Sequence, residues 1–356
     1  MFKQSKGITL VALVITIIVL LILAGVSINF MFGNEGIIGK AQSAVDMYKN
    51  AADDEKQLLA EVENYVKENY TTANTRAGEA KDLFGVIATT GNGTQNNPYI
   101  ISNAKQLQAL SGIVNSGEEF SGAYFKISDD VPYIDLSTVC GENLNKVWMP
   151  IGHGYNNRFK GNFDGNNKPI KNIYINMDID GQTTTYTWGH LSGVGLFGAV
   201  EGAKIENVIV ENSNIITKNI CCVGSVVGLA INSTITGCTN KGNVTATVST
   251  NTNVAISIGG IVGLIQNSIV RNSTNEGIIQ GQRYVGGIVG YAQNSSEFTG
   301  CSNKSTGEVS TTQSGTTPGG ICGYVDASTY QKLQSITPQN NSNEYSGVYE
   351  LGEGDW

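Results

Sequence analysis

Six aspartates cluster in sequence between residues 129 and 180: Asp129, Asp130, Asp135, Asp164, Asp178 and Asp180. Paired carboxylates are the equipment of glycoside hydrolysis, which needs an acid and a base at a fixed separation across a cleft. No spacing here fixes such a pair. Asp164-Gly165 and Asp178 to Gly181 read instead as turns, where Asp bonds its own backbone and Gly supplies positive φ. His153 and His190 are the only histidines, so the H-E-x-x-H metalloprotease pattern and any zinc set of several histidines are absent. The D-x-D-x-D-G calcium loop is missing too. Gly193-Val194-Gly195-Leu196-Phe197-Gly198 matches G-x-G-x-x-G, but no amphipathic helix follows to present its N-terminus to a pyrophosphate. The expectation is a chain with no catalytic residues, no metal and no cofactor.

Six cysteines invite a disulfide framework, but their placement argues otherwise. Cys238 and Cys301 occupy the slot that Ser273 holds in an intervening repeat, and Cys322 takes the slot of Val262 and Val289. With coils stacked at about 4.8 Å, one serine rung puts Cys238 and Cys301 nearly twice that apart, beyond the roughly 7 Å Cα limit for a bridge. Cys221 and Cys222 would point to opposite faces of a strand. Cys140 has no assigned role.

The elements that position these residues show first in composition. Charged residues make up 15% of the 356 and glycines number 44, against roughly 25% and 7% on average. A balance of 22 Lys plus Arg against 30 Asp plus Glu, with no basic run, argues against nucleic acid as a partner.

From Gly195 onward the chain repeats itself. Gly195-Leu196-Phe197-Gly198, Ser225-Val226-Val227-Gly228, Gly260-Ile261-Val262-Gly263, Gly287-Ile288-Val289-Gly290 and Gly320-Ile321-Cys322-Gly323 recur at intervals of 30, 35, 27 and 33 residues. Cys238-Thr239-Asn240, Ser273-Thr274-Asn275 and Cys301-Ser302-Asn303 form a second recurring set. Such a period means stacked units. Each has room for about three strands, which favours a β-solenoid over the four-stranded blades of a propeller. Upstream, Asn103 three residues before Gln106 forms a capping box. Leu107, Leu110, Ile113 and Val114 make one apolar face, and Gly117 closes the predicted helix.

At the other end, Ile8 to Ile28 is a 21-residue stretch without charge, roughly 31 Å long as a helix and sufficient to cross a bilayer. Lys3 and Lys6 precede it with no acid, which puts the start of the chain inside the cell and the rest outside. Gly33, Gly36 and Gly39 then loosen the helix. Ala41, Ala44, Val45 and Tyr48, followed by Leu58, Leu59, Val62 and Val66, restore a helical period. That helix either lies on the following domain or packs as a stalk against sister subunits.

The order Lys6-Gly7-Ile8-Thr9-Leu10 resembles the leader of type IV prepilins and pseudopilins. The resemblance implies cleavage between Gly7 and Ile8 by a prepilin peptidase, N-methylation of Ile8 and assembly with pilus or pseudopilus subunits. Pilins usually carry Glu at the fifth mature position, where it neutralises a neighbour's ammonium in a low-dielectric core. Here that position is Ala12, which fits a minor or tip subunit.

The four-residue cores resemble the GLUG motif of bacterial surface and secreted proteins, with Gly195, Gly198, Gly228, Gly260, Gly263, Gly287, Gly290, Gly320 and Gly323 as structural glycines. Asn97 to Ile101, Trp148 to Gly152 and Phe159 to Gly165 look like the portion that precedes such repeats. Some relatives are immunoglobulin-cleaving metallopeptidases, whose zinc motif this chain lacks.

The expected fold is mainly β, a repeat β-solenoid head on a long N-terminal α-helix. Its expected parts are a leader at 1–7, a transmembrane helix and stalk at 8–69 and a linker at 70–81. An N-terminal β-rich portion with one short helix follows at 82–194, then the repeats at 195–325 and a tail at 326–356. The expected function is non-catalytic display at the cell surface or on a pilus, for adhesion to a host or surface glycan or protein. The alternatives are an anchored adhesin that does not polymerise and a β-helix carbohydrate-active enzyme.

Overall fold

The computed structural model describes residues 14–21, 90–153, 156–178, 193–248, 256–313, 316–337, 339–346 and 349–354. The chain divides into two compact units, residues 1–74 and 75–356. In the first, residues 14–21 are helical and exposed throughout. The leader with Gly7 and Ile8, both ends of the apolar stretch, Ala12 and the stalk lie outside the described residues. No helix among the described residues is long and apolar enough to cross a membrane.

The second unit is wound from parallel strands into three sheets. One coil shows the plan. Cys222–Gly224 and Val227–Ile231 lie on one face, Thr234–Thr236 on the next and Thr239–Thr247 on the third, and each pairs with its counterpart in the following coil. A coil therefore holds four strands rather than three, because a tight turn at Ser225-Val226 splits the motif-bearing face. The repeat architecture read from the sequence is correct, and its cross-section is three-sided.

Alternation decides which side chains enter the core. On the face of short strands, Tyr99, Phe125, Phe163, Ile205, Ile235, Val270 and Phe298 stack in register and are all buried. Each such side chain contributes about 1.5–3 kcal/mol by leaving water. Their outward neighbours are polar, as in Thr234 and Thr236. At the corners, Asn232, Asn267 and Asn294 adopt φ of 49°, 45° and 58°, a conformation Asn tolerates better than other non-glycine residues. Buried Ser233, Ser268 and Ser296 follow, and each accepts a hydrogen bond at Oγ from the backbone N of the coil before: Ala203 to Ser233, Ser233 to Ser268 and Ser268 to Ser296.

Two ladders run the length of the repeats. Asn240, Asn275, Asn303 and Asn343 stack, each Nδ2 donating to the next Oδ1 at 2.8, 2.8 and 3.0 Å. The second ladder is charged and alternates in sign: Asp135, Lys171, Glu211, Lys241, Glu276, Lys304, Glu344. Exposed pairs of this kind contribute about 0–1 kcal/mol each. Their larger effect is on register, since pairing a coil with the next but one would set like charges opposite each other.

Helices finish the unit. The first, α1 (Ala104–Asn115), starts where the capping box predicts. Asn103 Oδ1 accepts from Gln106 N at 3.0 Å, while Gln106 Oε1 accepts from Ser102 N at 2.7 Å. Leu107, Leu110, Ile113 and Val114 are buried, and Gly117 follows with φ +111°. The second, α2 (Ala327–Gln334), stands where another Asn-Ser corner would be. Its cap Asp326 accepts from Thr329 N and Asn294 N, and Thr329 Oγ1 accepts from Ser296 N in place of a serine rung. Burial opposes ionisation of Asp326, but these hydrogen bonds overcome it and hold the carboxyl below its usual range. Strands Ser342–Asn343 and Tyr349–Gly354 then extend two of the sheets. Residues expected to be a tail therefore continue the solenoid.

Candidate binding surface

The motif glycines are explained by backbone packing between coils. A Cβ at Gly260 or Gly287 would lie 2.6 or 2.7 Å from Oδ1 of Asn275 or Asn303 in the asparagine ladder. At Gly263 and Gly290 it would strike backbone atoms of Val223 and Ile258 in the coil before. Only the hydrogen of glycine fits such approaches. The 30-residue alignment of the first two motifs holds at Phe197 and Val227. Just ahead of it Val194 pairs with Val223, 29 residues on, so the chain between these two pairs is one residue longer in the second coil.

The residue after the last motif glycine packs apart from the main core, and in register it runs Ala199, Leu229, Leu264, Tyr291, Tyr324, the first three buried in a small cluster of their own. The column thus changes from small to aliphatic to aromatic along the solenoid. Tyr284 joins it from the preceding corner, where its φ is +48°. Ring centroids lie 5.4 Å apart for Tyr284 and Tyr291, 4.5 Å for Tyr284 and Tyr324, and 4.8 Å for Tyr291 and Tyr324. All three rings are half-buried. The exposed Arg283 places its guanidinium 4.7 Å over the Tyr284 ring. Rigid rings of this kind offer an apolar face with little rotamer entropy to lose, and a neighbouring guanidinium can hold a carboxylate by two hydrogen bonds. The sequence reading named no residue of this surface. The signal was there at the position after each motif glycine, whereas the corner residue Tyr284 gave none.

Four of the six aspartates are otherwise engaged. Asp164 accepts from Asn166 N at 2.8 Å and Asn207 Nδ2 at 3.0 Å, as the turn reading expects. Asp178 pairs with Lys218 at 3.1 Å. Asp129 is held below the usual carboxylate range by hydrogen bonds from Asn166 and Lys126. Burial works against ionisation of Asp135, but hydrogen bonds from Asn172 and Ser137 outweigh it and lower that carboxyl as well. Asp130 is exposed, and Asp180 lies outside the described residues. A general acid needs the opposite shift, upward. The G-x-G-x-x-G stretch forms strands Gly193–Val194 and Phe197–Glu201, with no helix after it.

The cysteines follow the predicted register. Ser273 separates Cys238 from Cys301 in the ladder, and Cys322 pairs with Val289. All six are at described positions and buried, and no disulfide joins any of them. Burial pushes the thiols of Cys238 and Cys322 up to about 12 and that of Cys301 up to about 11, so these three stay protonated at neutral pH. Cys221 and Cys222 do not point apart as a strand would require. They bring their sulfurs within 3.2 Å of each other.

Comparison with known proteins places this surface in context. Halomucin of Haloquadratum walsbyi is 28% identical over 195 residues, a match that covers 52% of this chain and 2% of halomucin. A crystal structure of a proposed immunoglobulin A1 protease from Bacteroides ovatus shares 18% identity at a TM-score of 0.42, covering 74% of this chain and 86% of that one. The family model described as the GLUG motif matches residues 281–308, which include Tyr284, Tyr291 and Gly287 to Gly290. The chain thus carries a GLUG motif within a mainly β domain of parallel, stacked coils.

Proposed function

We propose that this is a non-catalytic surface protein. Its apolar N-terminal segment anchors it after processing between Gly7 and Ile8, and its solenoid presents the Tyr284, Tyr291 and Tyr324 rings to a glycan or protein outside the cell. The aromatic cluster on rigid, stacked rungs is the observation that carries the reading. The GLUG motif and the match to halomucin support a β-rich protein of the cell exterior. The exposed apolar helix at 14–21 suits a lipid environment better than water. Engagement of Asp164 and Asp178 by structural partners supports display over hydrolysis.

Two measurements test this. N-terminal sequencing of protein from the native cell is expected to give methylated Ile8 on material retained with membranes or sheared filaments. Intact Met1 on protein free in the medium would end the proposal. Glycan-array binding by the full chain is expected to fall at least about tenfold with Tyr291→Ala or Tyr324→Ala, each of which removes about 1.4 kcal/mol or more of stacking. A glycan turned over by the chain, with turnover lost in Asp164→Ala, would show an enzyme instead. The absence of Glu at position 12 favours a minor or tip subunit, or a non-polymerising anchor, over a bulk filament subunit. Shearing distinguishes these, because only an assembled subunit leaves with the filament.

A further inference from the structure

Cys221 and Cys222 sit at the corner that leads from strand Ile209–Lys218 into strand Cys222–Gly224. Asn219, at φ +61°, bends the chain there. Cys221 therefore precedes the strand and escapes its alternation. Both sulfurs turn to one side, into a small cluster with Ala199, Leu229 and Leu264 that is separate from the main core. Their Sγ atoms are 3.2 Å apart, nearer than the roughly 3.5–4.0 Å of ordinary non-bonded contact. A closure of about 1.2 Å would reach the length of a disulfide bond.

The other four cysteines are placed differently, since each points its thiol at a backbone carbonyl. Cys140 meets Asn172 O at 3.6 Å, Cys238 meets Thr236 O at 3.6 Å, Cys301 meets Thr299 O at 3.5 Å and Cys322 meets Tyr324 O at 3.2 Å. Among the six, the adjacent pair alone has sulfur facing sulfur.

We propose that Cys221 and Cys222 close to a vicinal disulfide when the chain folds in the presence of a disulfide oxidant. Glutathione disulfide serves as the oxidant class. The thiolate of one cysteine attacks its S–S bond, forms a mixed disulfide and releases one glutathione thiolate. The second cysteine then attacks the protein sulfur of that mixed disulfide and expels the other glutathione. The protein loses two electrons and two protons, and the oxidant becomes two thiols. Closure comes before the corner is buried. In the folded state the pair is 5% and 1% exposed, and hydrogen bonding to Cys221 together with burial pushes the Cys222 thiol well above its ordinary range. The ring encloses almost no chain, so it adds little loop entropy. Its effect is to fix the corner on which Ser257 of the next coil is stacked.

The test is to refold the full chain in a glutathione redox buffer, quench, unfold and alkylate with iodoacetamide. Four of the six cysteines are expected to be alkylated. The tryptic peptide 219–241 should carry one adduct, on Cys238, and be lighter by two hydrogens than the same peptide calculated with one adduct and two free thiols. Cys221→Ser should leave no internal disulfide, with Cys222 alkylated or held as its unresolved mixed disulfide with glutathione and the other four thiols open to alkylation. Because the count is made on unfolded chains, it does not depend on the variant folding well. In the unsubstituted chain, six alkylated cysteines, protected thiols at any other position, or a glutathione adduct at Cys221 or Cys222 that never closes would each overturn the proposal.

Discussion

Asn275→Ala is expected to cost on the order of 4 kcal/mol, read as a lower urea midpoint with an unchanged slope. The Asn275 side chain is fully buried and all its hydrogen-bonding capacity is committed. Nδ2 donates to Gly277 O at 3.0 Å and Asn303 Oδ1 at 2.8 Å, and Oδ1 accepts from Gly277 N at 3.3 Å and Asn240 Nδ2 at 2.8 Å. Alanine leaves all four partners without it in a place water does not reach, and an orphaned buried group costs about 1–3 kcal/mol. The sum is large against a total of roughly 5–15 kcal/mol for a domain. Lys241→Ala, in the outer charged column, is the control and should cost less than about 1 kcal/mol. Equal effects of the two substitutions would show that the buried ladder is not what holds the coils together.

Gly290→Ala should destabilise by about 3 kcal/mol or more, for a different reason. The added methyl would meet the Ile258 amide, the Gly263 carbonyl and the Ser257 carbonyl carbon. All three are backbone atoms, which cannot rotate away as a side chain can, so the stacked coils must separate. Gly112 in α1 provides the contrast. Nothing lies within 4 Å of a Cβ there and its φ is ordinary, so Gly112→Ala should stabilise by about 0.5–1 kcal/mol through helix propensity and a less disordered unfolded chain. Thermal melting followed by circular dichroism reads both. A melting temperature for Gly290→Ala at or above that of the parent would refute the close-approach account of the motif.

What could be read in advance followed the range of the interaction. The α1 cap at Asn103 and Gln106 is a contact over three residues, and its apolar face follows the helical period, so both were legible. The recurrence of Gly260 to Gly263 at Gly287 to Gly290 and Gly320 to Gly323 announced stacked coils, and the Cys238, Ser273, Cys301 series already contained the register of one ladder. The one-residue slip ahead of the first motif was not legible, because the motifs match at a 30-residue interval while Val194 pairs with Val223 at 29. The alternating charges from Asp135 to Glu344 were hidden as well, since their spacing in sequence is irregular and becomes regular only after each coil has closed.

The amino-acid sequence by itself determined that coils form and stack, because strand alternation and turn-forming Asn and Gly act over a few residues and recur. It also supplied every side chain of the tyrosine cluster. Tertiary structure decided that Tyr284, Tyr291 and Tyr324 meet and that Cys221 turns to the side of Cys222. It decided too that Asp164 and Asp178 are tied to Asn207 and Lys218. Neither Asp164 with Asn207 nor Asp178 with Lys218 is adjacent along the chain. Each pair is brought together by the length of one coil, which no local pattern of residues encodes.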